Sequence, residues 1–164
     1  MKTKLFDNSI LTSPREAIDL ISNVLESSTE YSIIGKSLDG TIILWNEGAR
    51  RLYGYQAEEV LGKLNAEVLH SAEDIRAGLP RQMTEEALRS GRWEGLVKRV
   101  RKNGETFPAR VVVTPRRDNA GRAIGLLIIS KDISLEMQSE QAEEKFRGLL
   151  ESAPDAMVIV NEHG

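Results

Sequence analysis

Val97-Lys98-Arg99-Val100-Arg101-Lys102-Asn103-Gly104-Glu105-Thr106-Phe107-Pro108-Ala109-Arg110-Val111-Val112-Val113 reads as two β-strands folded back on one turn. Asn-Gly reaches the left-handed conformations that tight hairpins need, and it is the strongest short hairpin signal a sequence carries. In the return strand Phe107, Ala109, Val111 and Val113 alternate onto one face, the period-2 pattern of a half-buried strand. The hairpin extends to residues 92–101 and 105–115. A turn at 118–122 leads into a further strand over 123–130. That strand is apolar on both sides, Ile124, Leu126 and Ile128 against Leu127 and Ile129, so its outer face also needs a cover. The first helix of the chain or a second subunit would supply it.

Upstream, Ser13-Pro14-Arg15-Glu16 combines an N-cap serine, a proline at the first helical position and a glutamate three residues on, which predicts a capping box. Ile18, Ile21, Val24 and Leu25 then share one helical face, and the helix ends near Ser27-Ser28. Residues 31–38 and 41–45 form a second hairpin about Asp39-Gly40. Residues 46–62 read as short helical turns with Ala49, Leu52, Tyr53 and Val60 inward and Gly54 and Gly62 as stops. Residues 64–69 form another turn, and residues 72–90 a helix that contains Gly78 and Pro80. Beyond the last strand a polar helix runs over 135–151, with Leu135, Ala142, Phe146 and Leu149 along one stripe. Finally, Leu150-Glu151-Ser152-Ala153-Pro154-Asp155-Ala156-Met157-Val158-Ile159-Val160 replays Leu25-Glu26-Ser27-Ser28-Thr29-Glu30-Tyr31-Ser32-Ile33-Ile34-Gly35. A segment repeated at a distance signals a module used again, so the chain reads as one unit and the start of the next.

With 164 residues and no cysteine, the chain has the length of one domain and no disulfide or thiolate metal site. The net charge of -3 provides no electrostatic footprint for nucleic acid. No apolar run approaches the length of a bilayer span, and the cytoplasm is the expected location. Walker-type glycine loops, His-Glu-x-x-His and G-x-S-x-G are all missing, so the fragment is not read as an enzyme.

Two strands, a cluster of short helices and three more strands resemble the PAS domain. The wording is similar too: Asp39-Gly40-Thr41-Ile42 followed by Trp45-Asn46, Tyr53-Gly54-Tyr55, Ala57-Glu58-Glu59-Val60-Leu61-Gly62, Arg101-Lys102-Asn103-Gly104-Glu105 and Lys131-Asp132-Ile133-Ser134. The resemblance covers residues 25–134. It implies an α+β fold, a five-stranded antiparallel sheet with short helices on one face, flanked by N- and C-terminal connector helices. The expected layout is a capping and dimerisation helix over 1–27, the PAS domain over 28–134, a connector over 135–152 and a truncated second PAS domain over 153–164.

As the resemblance implies, the unit is a sensory module of a tandem-PAS signalling protein. The parent would be a sensor histidine kinase, a cyclic-dinucleotide enzyme or a phosphatase regulator, with the downstream PAS and output domain as partners. A small organic ligand would lie among Trp45, Tyr53, Met83, Leu88, Trp93, Val97, Val111, Val113 and Ile128, unless these residues simply fill the core. Arg99 shares alternation with Trp93 and Val97 and reaches inward to a carboxylate, or else lies solvated at the strand end. Asp132 is placed to cap the exit helix that starts near Leu135, and in PAS proteins signals leave through this junction. A parallel homodimer would use Ile18, Ile21, Val24 and Leu25 with Leu127 and Ile129. An unliganded dimerisation spacer is the rival reading. FAD is a further alternative, because Trp93-Glu94-Gly95 resembles the redox-sensing branch, but the flavin-binding asparagine of those proteins aligns with Arg99. Cysteinyl photochemistry is excluded by composition. Haem would need a histidine on the helix before the third strand; His70 lies just ahead of it, and His163 is near the end of the chain. No cofactor is the expectation.

Overall fold

In a computed structural model that describes residue 5 and residues 11–152, five strands form one antiparallel sheet in the order β2-β1-β5-β4-β3. The strands are β1 (Tyr31–Ser37), β2 (Ile42–Trp45), β3 (Trp93–Val100), β4 (Thr106–Arg117) and β5 (Ala123–Asp132). The last strand in sequence is thus the middle one in space. β3 and β4 pair from Trp93↔Val113 to Val100↔Thr106. Their turn is closed by Gly104 N–H donating to Arg101 O at 2.9 Å, with Gly104 at φ +88°. Among the described residues no non-glycine has positive φ, so Asn103 does not adopt the left-handed conformation of a two-residue turn. Its Oδ1 instead accepts from Glu105 N at 2.9 Å, and glycine alone supplies the left-handed step.

Between β2 and β3 lie α2 (Glu47–Tyr53), α3 (Ala57–Val60), a 3-10 turn (Ala66–Leu69), α4 (Ala72–Arg76) and α5 (Leu79–Ser90). Residues 72–90 are therefore two helices rather than one. Gly78, at φ +78°, breaks them, and Pro80 fits the first turn of α5. These helices and the inner face of the sheet share one core, with Ile34, Ile42, Tyr53, Val60, Leu69, Val111, Val113 and Leu126 buried. One buried polar relay crosses it: Ser32 and Ser130 hydroxyls lie 2.8 Å apart, and Tyr53 Oη lies 3.2 Å from Ser130 Oγ.

α1 (Pro14–Ser27) begins at Ser13, whose hydroxyl accepts from Glu16 N at 3.2 Å. The reciprocal arm differs from the expected box: the Glu16 carboxylate accepts from Thr12 N and Thr12 Oγ1 at 2.6 and 2.7 Å. No residue of α1 is buried, so it does not supply the cover that the outer face was expected to need. α6 (Ser134–Ser152) is a separate unit from Ile133 onward and also buries nothing. The proposed second unit over 153–164 lies outside the described residues.

One side chain joins three of these elements. Asn46, 5% exposed, caps α2 by accepting from Ala49 N at 2.9 Å and accepts from Ile33 N of β1 at 2.8 Å. Its amide nitrogen donates to Leu25 O of α1, Ser28 O and Tyr31 O at 3.0–3.1 Å. The close approach depends on Gly48, where a Cβ would stand 1.9 Å from Tyr31 O.

Asn46→Asp keeps both acceptor roles but turns an oxygen onto three carbonyls. We expect a loss of about 3 kcal/mol or more in urea unfolding, at least as large as for Asn46→Ala. A near-wild-type midpoint would mean that the donor half of the amide holds nothing.

A buried Arg99–His70 candidate site

Alternation along β3 turns Trp93, Val97 and Arg99 to the inner face, and Arg99 is only 1% exposed. The solvated arginine is therefore set aside: its guanidinium lies under the helical layer. Backbone bridging between Arg99 and His70, just after the 3-10 turn, brings the two side chains together. Arg99 Nη1 lies 2.8 Å from His70 Nε2. A guanidinium only donates, so Nε2 accepts and the ring proton sits on Nδ1. Lys36, at an inward position of β1, approaches from the other side and donates from Nζ to Thr84 Oγ1 of α5 at 3.2 Å. Among the described residues His70 Nδ1 and Arg99 Nε and Nη2 are buried with no hydrogen-bond partner in the protein.

A cavity of about 20 Å³ adjoins these groups, lined by Lys36, Glu67, His70, Met83, Thr84, Arg99, Val113 and Ile128 with Ala66 and Pro80. That is room for a water or a small ion. Burial, then the charges of Arg99 and Lys36, press the His70 pKa down from 6.5 to about 3, so the imidazole is neutral near pH 7. Burial and Arg99 also lower Lys36, while Glu67 acts in the opposite direction.

Of the residues expected around a ligand, Met83, Arg99, Val113 and Ile128 line this cavity. Tyr53, Val97 and Val111 are packed into the core with Trp45, and Leu88 and Trp93 lie partly buried against it. Trp45 also borders an open groove of about 620 Å³ between α1, α2 and α3. The sequence offers His70 as a haem ligand or a plain helix-start residue, and does not single out Lys36, Glu67 or Thr84. The inward register of Lys36 with Ser32 and Ile34 was the available signal. A flavin ring does not fit here: the space admits only a water or a small ion, and Arg99 forms part of its wall. Haem does not fit either, since the Nε2 a metal would take already accepts from Arg99. No group of three or more His, Cys, Asp or Glu is placed to hold a metal among the described residues.

At the sheet's exit, Arg101 ties three elements together. Its Nη2 pairs with Asp132 Oδ2 at 2.9 Å, its Nη1 donates to Leu52 O, and its guanidinium lies 4.0 Å from the Phe107 ring centroid. Asp132 closes β5. The N-cap position of α6 falls on Ile133, whose carbonyl accepts from Met137 N at 3.0 Å. Asp132 immediately precedes that residue at the junction. Leu135 is in the first turn of α6. Of the residues expected at a dimer interface, Ile18, Ile21 and Val24 are exposed and Leu25 is half-buried, as are Leu127 and Ile129 on the outer face of β5.

The family model described as "PAS domain" matches residues 29–135. "Two-component system protein A" of Emericella nidulans is 32% identical over 117 residues, which cover 71% of this chain and 17% of that protein. The chain therefore spans a small part of the curated relative it matches. A solved PAS domain of a Colwellia psychrerythraea protein superimposes with a TM-score of 0.66 at 24% identity, over 72% of this chain and 98% of that one. A solved RNA-binding light-oxygen-voltage receptor gives 0.64 at 22% identity, over 92% of this chain and 42% of the receptor. At those identities the likeness is one of fold. No helix among the described residues is long and apolar enough to cross a membrane.

The depressed His70 pKa has a consequence for stability. Below pH 6.5 the unfolded chain takes up a proton that the folded chain refuses until about pH 3. Stability contributed by the neutral ring is therefore full above pH 6.5 and declines as the pH falls, by up to about 1.4 kcal/mol per unit for one proton. Chemical unfolding between pH 7 and about pH 5.5, above the range where carboxylates dominate, should show this slope in the wild type. His70→Gln should flatten it; equal slopes in the two proteins would contradict the buried neutral imidazole.

Proposed function

The chain belongs to the PAS domain family, and on that premise we propose that it is a cytoplasmic sensory module of a longer signal-transduction protein. It registers a small ligand or partner at the helix-covered face of its sheet and relays the change through β5 into α6. The observation that carries this reading is the Arg99 cluster. A core built only for stability has no use for a guanidinium with two buried, unpartnered nitrogens, which costs several kcal/mol. The continuity of β5 into α6 across Ile133 supports the relay, because a shift of the central strand has one covalent outlet. A two-component parent, as the fungal relative's name suggests, would place a downstream PAS domain and an output domain after α6.

The layout that goes with it is a dimerisation helix over 1–27, the sensor over 28–134, the connector over 135–152 and a following PAS unit from 153. A spacer without ligand is the second reading, and it is favoured by the close packing of Tyr53, Val97 and Val111. Native mass spectrometry of unheated protein, with hydrogen exchange before and after removal of any retained molecule, separates the two. The sensory reading expects exchange in α6 to change with occupancy. An α6 indifferent to every retained or added molecule leaves the spacer.

The proposed partner in assembly is a second copy, arranged in parallel. Ile21 and Val24 are 46% and 56% exposed on α1, and Ile129 of β5 pairs with both Ile33 and Val112 to extend an apolar row across the outer face. Light scattering should give a dimer at micromolar concentration. The double substitution Ile21→Asp and Val24→Asp should give monomer with an unchanged fold by circular dichroism. A wild type that stays monomeric, or a variant that still pairs, would remove α1 as the interface.

A further inference from the structure

Arg99 spends one edge of its guanidinium on His70. The edge left over, Nε with Nη2, is the parallel pair of N–H donors that matches the two oxygens of a carboxylate. Neither nitrogen finds an acceptor among the described residues. Lys36 adds a second cation and uses one of its three donors on Thr84. His70, its accepting nitrogen already committed to Arg99, offers no negative charge. Glu67 is the one carboxylate on the wall, and it makes no hydrogen bond to either cation. The wall of the cavity therefore carries two cations against one anion, with donors in excess of acceptors. A water could accept from the free edge but would leave the charge uncompensated, whereas a monoanion supplies both oxygen lone pairs and charge.

We propose that this cavity is a recognition site for a small two-oxygen monoanion, a carboxylate or planar oxyanion of formate or acetate size, held side-on by Arg99 Nε and Nη2 with Lys36 as the second charge. The inference deepens the sensory reading by naming the ligand class, and it rests on that reading only for the consequence of binding. Size sets the class: about 20 Å³ admits a headgroup with little skeleton behind it. Specificity then comes from geometry, because a sphere of equal charge cannot engage two parallel donors as two oxygens do.

The test uses the full chain labelled with 15N-arginine. The Arg99 Nε–H resonance is followed during titration with sodium formate and sodium acetate, and with sodium chloride at equal ionic strength, with the melting temperature measured alongside. The site expects a saturable shift of that resonance and a saturable rise in melting temperature with formate or acetate, and a weaker response to chloride. Arg99→Lys, which keeps the charge and loses the fork, should weaken the apparent affinity by about tenfold or more; Lys36→Met should weaken it as well. No saturable shift with either carboxylate would overturn the proposal, and so would chloride acting equally well, because neutralisation alone would then suffice. Should Arg99→Lys fail to fold, the wild-type titration still decides. If the resonance saturates while hydrogen exchange in α6 does not change, the site stands and the sensory reading falls. If the resonance is silent while another molecule alters α6, the reverse holds.

Discussion

The Asn46 amide is the constraint on which the layout of the domain depends. Five hydrogen bonds leave one side chain toward the end of α1, the start of β1 and the first turn of α2. Without it several buried backbone groups would be unpaired, each at a cost of about 1–3 kcal/mol. Gly48 is the geometric condition for this arrangement, since any side chain there would collide with Tyr31 O. The pair fixes where β1 enters the sheet, and thereby sets the register against β5 from Tyr31↔Lys131 to Ser37↔Gly125. Lys36 faces the Arg99 cavity because of that register. A one-residue slip would send it to the opposite side of the sheet.

The two arginines near the end of β3 divide the work between structure and chemistry. Arg101 is satisfied on every side, by Asp132, Glu105, Leu52 O and the face of Phe107. Arg99, two residues earlier and within β3, is left with a bare edge in the interior. Arg101 follows β3 by one residue, and the difference lies in what surrounds the two side chains. Arg101 sits at the rim beside carboxylate partners. Arg99 lies deeper, against a neutral imidazole that can accept but cannot balance charge.

The architecture was largely readable from residues. Asn103-Gly104, the alternation of Phe107 to Val113 and the doubly apolar β5 gave three strands in the right order, and Ser13-Pro14 placed the start of α1 within a residue. Phe107, Ala109, Val111 and Val113 are all buried. What eluded the sequence was proximity. His70 and Arg99 are 29 positions apart, and no spacing rule brings a residue after a 3-10 turn onto a strand that follows two helices. Arg99 was legible as inward by alternation, yet its place near the strand end argued for solvent; the bridge to His70 covers that end and supplies an acceptor. The break at Gly78 shows a similar limit: glycine signals possible interruption, while the left-handed φ that splits α4 from α5 is settled by packing.

The strand order carries a consequence for how the molecule comes into being. β5 is made last and lies in the centre, with β1 on one side and β4 on the other. Ser32 and Ser130, which touch in the finished core, are separated by 98 positions along the chain. Until Asp132 has left the ribosome the two flanking hairpins have no strand between them, and each presents an open edge of unpaired backbone groups. Closure of the sheet is thus a long-range, late event with a high loop-closure cost. The nascent chain passes through a stage in which its central seam is available to other chains, and any truncation short of β5 arrests it there.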